Sequence, residues 1–243
     1  MRDVTPFEIV YSIVAPFEHP LHRHVRRTLL RLRGARMLDV GGRRSNYTIG
    51  VPSEVWISDI PRESAIQKQL DLGATDSIRI GVISRRSNIK EYCYDDMTRT
   101  KLPEDHFDVV NAVEVLEHVD EDECFIANVA RLLKPGGHFV MTTPNGDFKP
   151  VPYPDHRRHY KASDLEALLK RHFSEVNIEY RVNAGKLFTL ASNSGKLFGM
   201  LGYGLSSLLE TLGSGGRGPM KKHHLFAICR KSVSASSSGA RAA

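Results

Sequence analysis

The chain has 243 residues, 41% of them hydrophobic, and a formal net charge of +6 at pH 7. This length and apolar content suit one α/β domain with a sizeable core. The three cysteines, Cys93, Cys124 and Cys229, are odd in number and widely spaced, which argues against a disulfide framework. We find neither a signal-peptide pattern nor a run of about 18 apolar residues, and therefore expect a cytoplasmic protein without a spanning helix.

Positive charge is concentrated near the start of the sequence, where residues 1–44 hold nine arginines against four acidic residues. Four apolar positions in this part share one helical stripe: Leu21, Val25, Leu29 and Leu32. Pro20 suits the first turn of that helix and Gly34 suits its end. The sequence predicts a helical N-terminal segment over residues 1–33, whose arginines form a solvated face or attract an anionic substrate. Without a recognised nucleic-acid motif, nucleic acid is not the expected partner.

Strand and helix signals alternate along the rest of the chain. Apolar runs predict strands at 35–41, 54–60, 89–94, 107–113, 137–143, 175–182 and 223–230. Helical patterns occur near 62–70, 120–133 and 163–172, and residues 71–88 are interpreted as a polar connection. This alternation is typical of a parallel sheet with helices on both faces.

Local motifs predict where several elements begin and end. Lys134-Pro135-Gly136-Gly137 follows a helical run and predicts a turn into the next strand. Ser163-Asp164-Leu165-Glu166 has the spacing of a capping box, which predicts a helix start. Residues 232–243 are rich in Ser, Ala and Gly and are predicted to form a disordered tail.

Two acidic residues about 20 positions apart mark the ends of the first two predicted strands. Asp39 lies in the apolar run Met37-Leu38-Asp39-Val40 and is followed by Gly41-Gly42, where the lack of a Cβ lets the backbone approach a ligand closely. Asp59 ends the next apolar run, at the spacing where nucleoside-binding α/β folds place a carboxylate on the ribose diol. This pattern predicts a nucleoside cofactor.

Further motifs follow in a definite order. They are Leu38-Asp39-Val40-Gly41, Asp59, Asp95-Asp96-Met97, Phe107-Asp108-Val109-Val110, Glu114-Val115-Leu116-Glu117-His118-Val119 and Leu132-Leu133-Lys134-Pro135-Gly136-Gly137. Together they resemble the class I S-adenosylmethionine-dependent methyltransferases, above all the ubiquinone-pathway O-methyltransferases and the small-RNA 2′-O-methyltransferases. The resemblance implies a Rossmann-like, seven-stranded, mostly parallel sheet with helices on both faces and a reversed last strand. It places the methyltransferase domain at residues 34–231.

The resemblance also implies S-adenosyl-L-methionine as the cofactor. The cofactor-binding residues that it implies are Asp39, Gly41, Gly42, Arg43, Asp59, Ile60, Asp96, Met97 and Glu114. Asp95 is the alternative to Asp96 as the acid that meets the adenine, because the register of a loop is open. Arg43 stands where the family usually has glycine, and its side chain either reaches the cofactor carboxylate or bends to solvent.

Catalytic candidates follow the fourth predicted strand. If Glu114, Glu117 and His118 lie on one helical turn, they project from the same side. His156 belongs to a later loop that covers the acceptor side of the site in such folds. Two interpretations stay open: Glu117, His118 and His156 are catalytic, with an imidazole as general base, or Glu114 joins them in holding a divalent metal such as Mg.

The expected function is O-methylation of a small hydroxyl-bearing substrate that is apolar or anionic. RNA 2′-O-methylation is one alternative, and a cofactor-binding module without catalysis is another, motivated by Arg43 and Ser45 in the glycine loop. Residues of about 184–218 are predicted to form a substrate cap. The apolar stretch 197–205 within it also suits peripheral contact with a membrane.

Overall fold

The computed structural model describes residues 4–15, 18–70, 72–183 and 222–233. Its strands are β1 (Arg36–Val40), β2 (Glu54–Asp59), β3 (Ile89–Tyr94), β4 (Phe107–Val113), β5 (Leu133–Pro144), β6 (Glu175–Asn183) and β7 (Lys222–Arg230). They form one seven-stranded sheet in the order β3-β2-β1-β4-β5-β7-β6. The first five pair in parallel, whereas β7 is antiparallel to both β5 and β6. The predicted mostly parallel sheet with a reversed last strand is confirmed.

Helices connect these strands and precede the first of them. They are α1 (Pro6–Val14), α2 (Pro20–Leu32), α3 (Ala65–Gln69), α4 (Asp76–Arg85), α5 (Asp122–Leu132) and α6 (Ala162–Leu169). The predicted helix at Pro20 is confirmed as α2, which buries its apolar stripe. Arg33 rather than Gly34 takes the left-handed conformation at its end, with a φ of 50°.

The interpretation of residues 71–88 as a polar connection was wrong, because α4 lies within them. Thr75 caps this helix and its hydroxyl accepts from the Ile78 N–H at 3.4 Å. Ile78 and Val82 pack against the core but are only partly buried. A helix without a fully buried residue shows a weak apolar periodicity, which explains why the pattern was missed.

Two predicted boundary motifs have other roles. Lys134 to Gly137, expected to form a turn, lies inside β5 as a bulge, where the register shifts from Phe107↔Leu133 to Val109↔His138. The predicted capping box is also wrong, because α6 begins at Ala162 without a side-chain cap from its own start. Asp147 replaces that cap, and its Oδ2 accepts from the Ala162 N–H at 3.0 Å.

The sheet separates two layers of apolar side chains, since successive residues of a strand point to opposite faces. Leu38 and Val110 belong to the layer shared with α5 and α6, whereas Met37 and Val109 belong to the layer shared with α2 and α4. The predicted arrangement of helices on both faces is therefore confirmed. Truncating a fully buried ring in this core, such as Phe139, would lower the free energy of unfolding by about 3–5 kcal/mol.

The strand order changes direction between β1 and β4. In open α/β sheets, ligands bind outside the carboxyl ends of the strands at such a switch point. The predicted cap, with its apolar stretch 197–205, lies outside the described residues, as do residues 234–243 of the predicted tail. Within the described ranges, no helix is long and apolar enough to cross a bilayer.

Candidate active site

A cleft of about 480 Å³ opens at the carboxyl ends of β1 to β4. Its volume falls within the range of small-molecule sites, which is about 300–1,000 Å³. The predicted cofactor residues that line it are Gly41, Arg43, Asp59, Ile60, Asp96, Met97 and Glu114, and the alternative acid Asp95 lines it too. Asp39 and Gly42 lie beneath the lining.

Asp39 supports the glycine loop from below. Its fully buried carboxylate accepts from Thr48 Oγ1 at 2.8 Å and from Asn111 Nδ2 at 2.6 Å. Burial raises the pKa of Asp39, and the nearby Arg86 guanidinium opposes the rise. A Cβ on Gly42 would lie 2.7 Å from Asp39 Cγ, so glycine is required there by the carboxylate below rather than by a ligand above.

The three supporting residues Thr48, Arg86 and Asn111 were missed by sequence reasoning. Arg86 is buried and donates to Ser45 O at 3.1 Å and to Thr48 Oγ1 at 2.6 Å. Only Asn111 carried a sequence signal, because a lone amide inside the apolar run of β4 needs a buried partner.

Asp59 ends β2 and faces Arg43 across the cleft floor. Its Oδ1 accepts from the Ile60 N–H at 3.0 Å, and its Oδ2 lies 3.7 Å from Arg43 Nη1. Burial raises the pKa of Asp59, whereas the Arg43 guanidinium lowers it. The Arg43 side chain therefore does not bend to solvent. It lies in the cleft and pairs with the carboxylate that is expected to meet the ribose.

The two acids after β3 differ in what they contact. Asp96 Oδ1 accepts from Thr98 N–H at 3.0 Å and from Thr98 Oγ1 at 2.8 Å, while its Oδ2 lies 3.1 Å from Arg99 Nε. The Asp95 Oδ2 atom is buried and has no hydrogen-bond partner among the described residues. Asp96 is thus committed to the 3₁₀ turn Met97–Arg99, whereas Asp95 keeps an acceptor for a ligand.

The chain turns sharply after β4 at Glu114, which has a left-handed φ of 54°. A 3₁₀ turn over Leu116–His118 follows, so the single helical turn considered from the sequence is not formed. Glu114 Oε1 accepts from Thr142 Oγ1 at 2.8 Å, and its Oε2 lies 3.2 Å from His224 Nδ1. Burial alone would raise the pKa of Glu114, but His224 and these hydrogen bonds hold it below its usual value.

Glu117, His118 and His156 come together without Glu114. One ligand atom from each of the three lies within 4.8 Å of the others. Glu117 is fully buried; its Oε2 accepts from Thr143 Oγ1 at 3.2 Å, while its Oε1 has no hydrogen-bond partner in the described part of the chain. Burial, and then the negative charge of Glu114, raise the pKa of Glu117 well above its ordinary value. A buried carboxyl group with an unused oxygen beside two imidazoles suits a proton donor or a cation.

Hydrogen bonds to two backbone carbonyls fix the tautomer of His118 directly and that of His156 through a third histidine, His159. His159 Nδ1 lies 2.7 Å from Lys149 O and must donate to it, so its Nε2 accepts from His156 Nδ1 at 2.8 Å. His118 Nδ1 lies 2.9 Å from Asp155 O and donates likewise. Neutral His118 and His156 therefore both present Nε2 lone pairs. His159, which orients His156, was not singled out from the sequence.

Residues 147–159 form a loop whose two ends are joined by backbone contacts. Asn145 and Tyr160 form a β-bridge, and the Gly146 N–H donates to Tyr160 O at 2.8 Å. A Cβ on Gly146 would lie 2.6 Å from His159 O, so only glycine fits this closure. The Arg157 N–H also donates to Glu117 O at 2.7 Å, which joins the loop to the 3₁₀ turn.

The family model described as a methyltransferase domain matches residues 17–180. The chain belongs to this family. The predicted resemblance to the class I S-adenosylmethionine-dependent methyltransferases is thereby confirmed. The ubiquinone biosynthesis O-methyltransferase of Coxiella burnetii (strain Dugway 5J108-111) is 30% identical over 132 residues, which cover 50% of this chain and 49% of the relative. The chain thus spans about half the length of that curated relative.

Solved structures share the fold at low sequence identity. A SAM-dependent methyltransferase from Archaeoglobus fulgidus has a TM-score of 0.58 and 17% identity, covering 87% of this chain and 93% of the other. The [4+2]-cyclase SpnF has a TM-score of 0.50 and 18% identity, covering 86% and 82%. Since a protein described as a cyclase has this fold, activity has to be argued from the site.

Proposed function

We propose that this chain is an S-adenosylmethionine-dependent methyltransferase that methylates a hydroxyl group of a small substrate. The observation that carries the proposal is the cleft at the switch point, which has Asp59, Asp95 and His118 in its lining, with Glu117 and His156 grouped beside His118. The curated relatives described as ubiquinone biosynthesis O-methyltransferases support oxygen as the acceptor atom.

The residues of the cleft fit the cofactor at its nucleoside end. Asp59 would accept from the ribose diol, the unpartnered Asp95 Oδ2 would accept from the exocyclic amine, and buried Met97 would pack on the adenine. Gly41, with a left-handed φ of 69°, keeps the loop free of side chains at the strand end. When bound, the cofactor supplies an electrophilic methyl group on a sulfonium.

Arg43 has to leave Asp59 before the carboxylate can accept from a ribose. A displaced guanidinium remains next to the methionyl end of the site, where it can pair with a carboxylate. We therefore assign Arg43 two partners, Asp59 in the free protein and the cofactor carboxylate in the complex.

A hydroxyl acceptor must lose its proton as the methyl group is transferred. The Nε2 lone pair of His156 can take that proton, because its Nδ1–H is already committed to His159. Burial, and then the neighbouring His118, lower the pKa of His156, so the imidazole is neutral and able to accept at neutral pH.

A divalent metal is the finer alternative for the same group. Glu117, His118 and His156 would hold the metal, which would lower the pKa of a hydroxyl group bound to it. Two imidazoles and one carboxylate suit a transition metal better than Mg²⁺, which prefers oxygen ligands. Glu114 pairs with His224 and lies outside this group.

Calorimetric titration with S-adenosylhomocysteine tests the cofactor half directly. We expect an affinity of about micromolar, and its loss in Asp59→Asn because the neutral amide accepts hydrogen bonds less strongly than a carboxylate. Repeating the titration with Mn²⁺ and then with chelator tests the metal. Absence of binding by the wild-type protein would overturn the proposal.

Catalysis is tested with a panel of phenolic and other hydroxyl acceptors, with release of S-adenosylhomocysteine as the readout. A cofactor-binding module without methyl transfer is the second candidate, favoured by the Arg43–Asp59 pair, and turnover with any acceptor would exclude it. Two arginines of the basic segment serve the fold rather than the RNA alternative: Arg26 donates to Ile49 O at 2.6 Å and Arg36 donates to His106 O at 3.4 Å.

A further inference from the structure

Helix α1 has its polar side directed inward and its apolar side outward. Glu8 is buried and accepts from Ser87 N–H and Ser87 Oγ, at 3.1 and 3.0 Å. Tyr11 is buried, and Arg26 Cζ lies over the Tyr11 ring at 5.3 Å from the ring centroid. Helices on the surface of a globular domain show the opposite arrangement.

The outward side of α1 forms a continuous apolar arc. Ile9, Val10 and Ile13 are 55%, 59% and 67% exposed, and Phe7 is 39% exposed. At about 100° per residue, the positions from Ile9 round to Phe7 span an arc of about 160°, filled otherwise by Pro6 and Val14. An exposed apolar surface of this kind marks a site of interaction.

Helix α4 extends the apolar surface and adds positive charge. Ile80 and Ile83 on its outer side are exposed, and Thr5 Oγ1, next to α1, donates to Arg85 O at 2.6 Å. A groove of about 420 Å³ between the two helices contains Phe7 and Val82 together with Arg44 and Arg85, whose side chains are exposed. The only carboxylates of the two helices are Glu8, which is buried, and Asp76, which lies 3.7 Å from Arg79.

The charges of this surface select among its possible occupants. A two-fold interface between copies would place this surface of one copy against the same surface of the other, so that the exposed Arg44 and Arg85 of both copies enter one interface, and the accumulated like charge opposes such contact. An anionic lipid surface offers the complementary arrangement, since it attracts arginines and accepts apolar side chains at the level of its headgroups.

We propose that α1 and the outer side of α4 form a docking surface for an anionic membrane. Phe7, Val10 and Ile13 enter the interface, and Arg44 and Arg85 lie among the lipid phosphates. Arg43 and Arg44 line both the groove and the cofactor cleft, so the bound membrane lies next to the glycine loop. This proposal does not depend on the acceptor being a hydroxyl group.

Flotation of the full-length protein with vesicles tests the surface. We expect binding to phosphatidylcholine vesicles that contain phosphatidylglycerol, weakening as salt is raised, and little binding to phosphatidylcholine alone. The double variant Val10→Glu/Ile13→Glu should bind at least about tenfold more weakly, because two charges replace apolar side chains that enter the lipid in the wild type. Arg85→Gln should weaken binding about fivefold.

Val233→Glu is the matched control, since Val233 is 65% exposed after β7 and far in the fold from α1. It should bind vesicles as the wild type does, and all variants should keep the circular dichroism spectrum and the affinity for S-adenosylhomocysteine. Lack of wild-type binding to anionic vesicles would overturn the proposal, as would equal losses in Val233→Glu and the double variant. A dimer that Val10→Glu dissociates, without any vesicle binding, would assign the surface to a second copy instead.

Discussion

The two ends of the cleft are built differently. At the proposed cofactor end, Asp59 ends β2 and Asp95 directly follows β3, and backbone geometry sets their positions. At the acceptor end, His118 and His156 are oriented by hydrogen bonds from a loop and a 3₁₀ turn. One end presents oxygens to neutral donors of a nucleoside, and the other presents nitrogen lone pairs to a proton or a cation. Binding and proton transfer can thus be perturbed separately.

The largest separation is expected from His156→Ala. It removes the proposed proton acceptor and should lower kcat by about a hundredfold or more, without changing the affinity for S-adenosylhomocysteine. His159→Ala, which removes only the hydrogen bond to His156 Nδ1, should cost about tenfold. Steady-state kinetics and calorimetry check both.

His172→Ala serves as the control for these variants. His172 lies away from the cleft, and its Nε2 is 2.6 Å from Glu123 Oε1. Equal activity of His156→Ala and His172→Ala would contradict a role for His156 in proton transfer.

A smaller effect on the cofactor end is expected from Arg43→Ala. Loss of the guanidinium should weaken S-adenosylhomocysteine binding about tenfold, since the amino-acid carboxylate loses its partner. Adenosine lacks that carboxylate, and Arg43→Ala should therefore bind adenosine more tightly than the wild type does. In the variant, Asp59 no longer has to exchange Arg43 for the ribose. Tighter binding of both ligands would show that Arg43 only competes for Asp59.

The two acids after β3 provide a matched pair. Asp95→Asn should weaken S-adenosylhomocysteine binding about fivefold, as the amide presents a weaker acceptor to the adenine amine. Asp96→Asn should change affinity by less than about twofold but lower the melting temperature, because the contacts to Thr98 and Arg99 are structural. The reverse ranking would restore Asp96 as the adenine residue.

The remaining expected effect is on stability rather than on binding or turnover, and it concerns a histidine near the acceptor end. Burial, and then the neighbouring His22 and His224, lower the pKa of His19 from 6.5 to about 3. As pH falls below 6.5 the unfolded state takes up a proton on His19 that the folded state does not take up until about pH 3, so the free energy of unfolding decreases over that range. Chemical denaturation at falling pH should show His19→Asn with a slope shallower by up to about 1.4 kcal/mol per pH unit.

Prediction from the sequence matched the lining of the cleft where a residue's position depends on its neighbours along the chain. Asp59, Ile60 and Met97 were found because a strand end fixes where the next residues lie. It failed where distant residues cooperate. The support of Asp39 comes from Thr48, Arg86 and Asn111, and the tautomer of His156 depends on Lys149 through His159.

The helix and strand boundaries show the same limit. Helix α4 was missed because it rests on the domain through partly buried side chains, and α6 takes its cap from Asp147 rather than from its own first turn. The bulge in β5 depends on pairing with β4, which the local glycine pattern does not reveal.

The backbone closure between Asn145 and Tyr160 makes the loop that carries His156 and His159 a replaceable module. Since the ends of the loop are joined at the sheet, insertions and deletions within residues 148–159, which leave Asp147 in place to cap α6, keep the strand register, and the entropic cost of a longer loop grows only slowly. Under the proposed function, exchange of this segment would alter substrate choice while the proposed cofactor end stays constant. The same closure offers a graft point: transplanting the corresponding loop of another methyltransferase between Asp147 and Tyr160 would test whether this segment selects the acceptor, without a redesign of the fold.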